Sequence, residues 1–168
     1  MLIVILPALD FSMIKSKYMK TKKSLKERIF NTAHNNRAII VRLIVGLIFL
    51  SEGMQKYLFP ELSGTGRFEK IGFADPAFWA YFTLTFEIIC GSLVLLGLFI
   101  RVASIPLFII MMTAFMTTKW PILMDKGFWA MVHEYRTDFA MTLLLVYLFI
   151  YGAGNGSFDL IFFKRRNR

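Results

Sequence analysis

The chain has 168 residues, of which 57% are hydrophobic, 16% aromatic and 18% charged, and its formal net charge is +9. Soluble domains are about 45–50% apolar and about 25% charged, so this composition is too apolar for a soluble globular protein. It also excludes a disordered chain and a collagen, and the single cysteine excludes a disulfide-rich scaffold. The remaining class is a membrane protein that carries excess positive charge.

The positive charge is concentrated at the two ends of the chain. Residues 1–36 are predicted to form a basic cytoplasmic extension with a short apolar start, and residues 163–168 a basic cytoplasmic tail. Juxtamembrane lysines each contribute about 1 kcal/mol to contacts with anionic headgroups, so we expect anionic lipid rather than nucleic acid as their partner. The predicted headgroup ligands are Lys15, Lys17, Lys20, Lys22 and Lys23.

The apolar start, residues 1–10, comes before these lysines, whereas a signal peptide has its positive region ahead of its apolar stretch. It is also too short to span a bilayer. Two interpretations stay open: the start is an interfacial anchor, or the native chain begins at Met13 or Met19.

Four apolar segments lie between the basic ends, at residues 38–59, 78–99, 102–119 and 136–152. A helix needs about 20 largely apolar residues to cross a hydrocarbon core about 30 Å thick. The first two segments have that length, and the last two reach it with their Trp, Tyr and Gly flanks. The sequence therefore predicts an all-α, polytopic membrane protein with a four-transmembrane-helix bundle over residues 37–162.

Basic residues in short loops indicate the orientation of such a protein, because they favour the cytoplasmic side. With four spans, both basic ends and Arg101, in the turn between the second and third spans, lie on the same side. The opposite loops, 60–77 and 120–135, hold few basic residues. Both termini are therefore predicted to be cytoplasmic, with Arg42 and Arg101 as anchors at that interface.

Charged side chains inside the apolar segments are the main functional signal. A charge near the bilayer centre costs about 2.5–3.5 kcal/mol on insertion scales, so such a residue usually faces a partner or a cavity. Lys56 shares one face of the first helix with Gly46 and Gly53, and its i,i+4 spacing from Glu52 permits an ion pair. Small residues let helices approach closely in membranes, which makes Gly46, Gly53 and Gly91 predicted packing positions.

Carboxylates from two helices are predicted to reach a similar depth. Glu87 lies about 13 Å below the outer end of the second helix, and Glu52 about 10 Å below that of the first. Asp138 is expected to open the fourth helix near the same interface, with His133 just before it. Two interpretations compete. Either the charges are structural and hold helices together, or they line an outward-opening polar pocket in the outer half of the bilayer, with the candidate residues Glu52, Lys56, Glu87, Asp138 and His133.

The sequence contains no pattern of metal ligands or of paired redox thiols. His34 and His133 lack a ligand spacing, so no metal site is predicted. Cys90 has no second cysteine for dithiol exchange, and we expect it to be a small packing residue.

Three glycine-containing motifs occur in order along the chain. The first helix reads Gly46-xx-Phe49-xxx-Gly53-xx-Lys56, the second reads Glu87-xxx-Gly91-xxxxx-Gly97-Leu98-xx-Arg101, and the last motif is Gly152-x-Gly154-xx-Ser157-x-Asp159. In this order, and over about residues 37–162, the sequence resembles the DoxX family of small bacterial membrane proteins.

The resemblance implies a four-helix protein of the bacterial inner membrane. A related protein, DoxD, is a subunit of a thiosulfate:quinone oxidoreductase, which implies a quinone-linked or redox-associated role here. Glu52, Lys56 and Glu87 would then be hydrogen-bond and proton partners of a quinone headgroup, and a membrane or soluble oxidoreductase would be the electron partner. The alternative is a non-catalytic scaffold or assembly factor whose buried charges are structural. Whether the chain is itself an enzyme stays open.

Overall fold

A computed structural model describes residues 37–159. The predictions for the basic extension and tail, including the headgroup contacts of Lys15, Lys17, Lys20, Lys22 and Lys23, lie outside the described residues. Within 37–159 the secondary structure is helical, without strands. The helices are α1 (Arg37–Leu58), α2 (Thr65–Ile71), α3 (Pro76–Leu96), α4 (Ile100–Ala114), a π-helical turn (Phe115–Lys119), α5 (Trp120–Lys126) and α6 (Phe128–Tyr151).

Three stretches of continuous helix in this part of the chain are long and apolar enough to cross a membrane, at Arg37–Leu58, Pro76–Leu96 and Ile100–Lys126. The last of them joins α4, the π-helical turn and α5. An all-α fold over residues 37–159, with three helices able to span a membrane, is therefore confirmed. Helix α6 has 24 residues, but the charged residues between positions 134 and 138 keep it outside this group.

The structure corrects the prediction of a loop over residues 120–135. Helix continues to Lys126, and only Gly127, at φ 83°, separates it from α6. The π-helical turn ends at Lys119, two residues before Pro121, which lacks an N–H and would clash in the interior of a regular helix. The wider turn, typical of a π-bulge, is how the backbone continues through this proline.

Two further boundaries differ from the prediction. The predicted loop 60–77 contains the short helix α2. Asp138, expected at the start of the fourth helix, lies well inside α6, because that helix already begins at Phe128. His133 and Glu134, which the prediction placed in the loop 120–135, thus lie on α6 together with Asp138. Their spacing along this helix decides which of them share a face.

The start and end of α3 follow from local sequence. Asp75 caps the helix by accepting a hydrogen bond from Phe78 N at 3.1 Å, and Pro76 occupies its first turn, where a missing N–H costs nothing. Gly97 ends it in the left-handed conformation, at φ 73°. Gly97 N donates to Val94 O and Leu98 N to Leu93 O, which is a Schellman motif.

Helix α1 packs along α3, α3 contacts α4, and α6 contacts both α4 and α1. Large apolar side chains also cover the outside of the helices; Ile40, Leu47 and Ile109 are 63%, 57% and 58% exposed. Exposed apolar surface on this scale is typical of a membrane-facing protein. The buried apolar core contains Val45, Phe49, Val94, Leu107, Leu145 and Leu148.

Glycines bring α1 and α3 into close contact. A Cβ on Gly91 would lie 3.2 Å from both Gly46 O and Leu50 N, and a Cβ on Gly46 would lie 3.0 Å from Gly91 O. Nearer the C-terminal end of α1, a Cβ on Gly53 would lie 3.2 Å from Leu84 O and 3.3 Å from the Cβ of Glu87. The two backbones thus approach one another at each of these positions.

Gly91→Ala is expected to lower the free energy of unfolding by about 1–3 kcal/mol, the usual cost of overpacking. The added methyl meets backbone atoms of Gly46 and Leu50, and these atoms move only if α1 moves as a whole. SDS titration of the detergent-solubilised protein measures the effect. Ser92→Ala, one position along α3, is the matched control, and equal stability of the two variants would contradict the prediction.

Candidate functional site

Lys56 and Glu87 form a buried ion pair between α1 and α3. Lys56 Nζ donates to Glu87 Oε1 at 2.9 Å and to Oε2 at 2.7 Å. The two residues are only 8% and 3% exposed. Hydrogen bonds between ionised groups are about twice as strong as neutral ones, so this pair is a strong link between the two helices.

Glu52 is the third member of this charged cluster. Its Oε2 lies 3.5 Å from Lys56 Nζ, while its side chain is 45% exposed. An ammonium group has three N–H donors, and Lys56 uses two of them on Glu87. The remaining donor faces a carboxylate at ion-pair distance, longer than a good hydrogen bond. The cluster of Glu52, Lys56 and Glu87 therefore has a closed side at Glu87 and an open side at Glu52.

Local sequence positions this cluster. Lys56 lies in the last turn of α1, where the helix dipole favours a positive charge. Gly53, one turn earlier, lets α1 approach the α3 backbone beside Glu87. The lysine therefore reaches both carboxylate oxygens without either helix departing from regular geometry.

Asp138 belongs to a second charged cluster. Lys119, at the end of the π-helical turn, lies 3.5 Å from Asp138 Oδ2 and 4.0 Å from Glu134 Oε2 on α6. His133 is exposed on the same helix. Within residues 37–159 no ion pair joins this second cluster to the first. Of the five candidate pocket residues, the structure thus brings together Glu52, Lys56 and Glu87, and places Asp138 with Lys119.

Arg42 is the residue whose role the sequence did not indicate. It is 5% exposed and therefore buried among the helices, whereas its role as a positive-inside anchor stays a prediction. Its guanidinium donates to four backbone carbonyls: Val94 O at 3.2 Å, Leu95 O at 2.8 Å, Ala153 O at 3.2 Å and Gly156 O at 3.4 Å. The last carbonyls of a helix have no partner within it, and Arg42 provides one for α3.

The turn after α3 and the segment after α6 are built around this guanidinium. A Cβ on Gly97 would lie 2.5 Å from Arg42 Nη2, so glycine is required there by space as well as by its positive φ. Asp159 N donates to Gly97 O, and Asp159 Oδ1 accepts from Phe99 N at 3.0 Å. Burial raises the pKa of Asp159, while the N–H groups of Phe99 and Ile100 and the charge of Arg42 act against that rise.

Within the described residues, no group of three or more His, Cys, Asp and Glu side chains is placed to hold a metal ion. Cys90 is buried in the apolar core, in contact with the side chains that pack α3 against its neighbours. The chemistry available at the first cluster is hydrogen bonding, charge compensation and proton exchange.

Comparison with known proteins gives the family. The DoxX sequence pattern matches residues 38–120. The chain is also 47% identical over 133 residues to the uncharacterized membrane protein Rv3486 of Mycobacterium tuberculosis, an alignment that covers 76% of this chain and 82% of that protein. The chain belongs to the DoxX family. The DoxX match contains Arg42, Lys56 and Glu87, whereas Asp138 and Asp159 lie beyond it. No solved structure matches this DoxX protein.

Proposed function

We propose that this DoxX protein is a quinone-linked, redox-associated membrane subunit whose ligand site is the cluster of Glu52, Lys56 and Glu87. The observation that supports this function is the unequal use of the Lys56 ammonium, which holds Glu87 by two hydrogen bonds but Glu52 only at 3.5 Å. A quinone carbonyl oxygen is an acceptor that fits the remaining donor, and it would displace the weaker carboxylate.

The same arrangement supplies a proton partner. Reduction of a quinone to a quinol takes up protons at its two oxygens, and Glu52 is a half-exposed carboxyl beside the atom that would hold one of them. Glu87 keeps the lysine in place and neutralises it. In this proposal the electrons come from a membrane or soluble oxidoreductase partner, and the DoxX protein contributes binding and proton exchange.

A non-catalytic scaffold or assembly factor is the second candidate. It is favoured by the closure of the Lys56–Glu87 pair, in which each charge already has its partner and both are shielded from solvent. In that case the cluster only holds α1 on α3, and the basic ends recruit anionic lipid or a cytoplasmic partner.

For the arrangement in the membrane, we propose four spans, with α6 as the fourth, in a bundle in the bacterial inner membrane with both termini cytoplasmic. The contacts of α6 with α4 and α1 support this arrangement, as does the uncharged stretch from Phe139 to Tyr151. The basic residues at both ends of the chain support the orientation. The two charged clusters would then lie in the outer half of the bilayer.

Quinone binding to the purified protein tests the proposed function. A short-chain ubiquinone or menaquinone analogue, titrated into the protein in nanodiscs, is expected to bind saturably. Lys56→Met is expected to weaken that binding about 10–100-fold, because it removes the donor to the quinone oxygen. Lys119→Met is the matched control, since it removes a lysine from the other cluster and is expected to leave binding unchanged.

The double variant Lys56→Met/Glu87→Leu separates lost binding from lost folding, because it leaves neither charge buried without a partner. We expect it to fold and to bind no quinone. If the wild-type protein binds neither analogue, or if the double variant binds as the wild type does, the redox proposal is wrong and the scaffold is the better account.

A further inference from the structure

The connection between α1 and α3 lies directly over the charged cluster. Gly64 is buried, and a Cβ there would lie 2.7 Å from Lys56 O and 2.9 Å from the Cα of Pro60. The turn is held by backbone hydrogen bonds from Gly66 N to Pro60 O and from Arg67 N to Gly64 O, both 3.0 Å long. The chain therefore folds back against the last turn of α1, the turn that carries Lys56.

Helix α2 extends this cover towards α3. Its Phe68 ring contacts Phe73 with centroids 5.2 Å apart, and Phe73 contacts Trp79 on α3 at 5.7 Å. Arg67, on α2, is close enough for its charge to act on Glu87. The aromatic contacts thus fix this cover against the start of α3.

The open side of the cluster points in a different direction. Glu52 lies between Ile48, one turn before it at 36% exposure, and Phe59, which is 54% exposed just beyond the end of α1. The exposed Gln55, three residues after Glu52, donates a hydrogen bond to Ser51. Apolar side chains exposed on a membrane-spanning helix face the acyl chains of lipid. The half-exposed carboxylate thus borders the bilayer, while the aqueous side is covered by the 59–72 connection.

We propose that the cluster is reached laterally, from the bilayer past Glu52, and that the connection 59–72 with α2 and Arg67 is a cap that keeps water-soluble solutes out. The site then selects a lipid-soluble ligand with a polar headgroup. The inference rests on the proposed function in taking Lys56 and Glu87 as the ligand site, but the direction of access is a separate property.

Carbodiimides of opposite solubility measure the direction of access. The full-length protein in phosphatidylcholine nanodiscs is treated with dicyclohexylcarbodiimide, which partitions into lipid, or with a water-soluble cationic carbodiimide, and modified carboxyls are mapped by peptide mass spectrometry. We expect the lipid-soluble reagent to modify Glu52. The water-soluble reagent is expected to modify Glu69, an exposed carboxyl on α2 that serves as internal control, and to leave Glu52 and Glu87 unmodified.

Variants of the cap give the decisive comparison. Gly64→Val places a side chain against Lys56 O and is expected to raise modification of Glu52 and Glu87 by the water-soluble reagent several-fold, with Ser63→Ala as the neighbouring control. If Gly64→Val does not fold, Arg67→Gln takes its place, and Lys70→Gln on the same helix is its control. We expect Arg67→Gln to raise modification of Glu52 and Glu87 by the water-soluble reagent more than Lys70→Gln does.

Two results overturn the cap. One is modification of Glu52 by the water-soluble reagent in the wild type as fast as that of Glu69. The other is a cap variant whose modification pattern equals that of its control. Neither result depends on quinone binding, so a protein that binds no quinone but shows the expected pattern refutes the proposed function and leaves the cap standing.

Discussion

Arg42→Met is expected to lower the free energy of unfolding by about 3–5 kcal/mol, one of the two largest effects of any single substitution considered. The change removes a donor from four carbonyl oxygens, of which Val94 O keeps its bond from Gly97 N, and it takes from Asp159 the positive charge that acts on it. Each buried acceptor that loses its partner costs about 1–3 kcal/mol, and a buried charge left uncompensated costs about 3–5 kcal/mol. SDS titration of the protein in detergent measures the loss.

Arg42→Lys is informative because it keeps the charge but not the fork of donors. A single ammonium has three N–H groups on one atom, so it does not reach carbonyls on α3 and on the 152–159 segment together. We expect it to recover only part of the stability. Arg136→Met removes an exposed arginine from α6 and is the matched control. A loss for Arg42→Met no greater than for this control would show that the guanidinium does not hold the segment.

The second large effect is expected at Lys56 and Glu87. Either Lys56→Met or Glu87→Gln alone removes one charge of a buried pair, and the expected loss is again about 3–5 kcal/mol. The double variant Lys56→Met/Glu87→Leu is expected to recover most of that loss, because a buried ion pair replaced by apolar side chains often costs nothing net. A double-mutant cycle from SDS titrations gives the coupling energy.

The second cluster serves as the control for this cycle. Lys119 and Asp138 are 3.5 Å apart, and the Asp138 side chain is 30% exposed to compensation by solvent. Lys119 is 13% exposed but keeps Glu134 at 4.0 Å when Asp138 is replaced. We expect a coupling energy of about 1 kcal/mol or less there. Additive losses at Lys56 and Glu87 would contradict the interpretation of the pair as a link between α1 and α3.

Quinone binding and stability separate the two proposed functions when they are read together. If the protein is a scaffold, we expect the double variant to be stable and a quinone titration to show no difference between it and the wild-type protein. The redox subunit predicts a stable double variant that has lost quinone binding. The stability cycle alone does not discriminate, because a buried pair links the helices in both cases.

The sequence indicated one half of the charged cluster directly. Glu52 and Lys56 are four residues apart on one helix, and helix geometry alone brings them together. Glu87 was predicted at a similar depth by counting residues from the end of its helix. Its contact with Lys56 also depends on which face α3 turns towards α1, and only the tertiary structure gives that orientation. Asp138 was expected to join them, yet α6 already begins at Phe128, and Asp138 lies inside that helix, 3.5 Å from Lys119.

Composition and periodicity by themselves determined the class of this protein, its apolar helices and the positions where charges enter them. These properties are local, because a span needs only its own length of apolar residues and a pair at i,i+4 needs only one helix. The tertiary structure alone decided that Arg42 is buried. Its four acceptors come from the end of α3 and from a segment more than a hundred positions away. A backbone carbonyl has no side-chain signature, so no sequence pattern names it as the partner of an arginine.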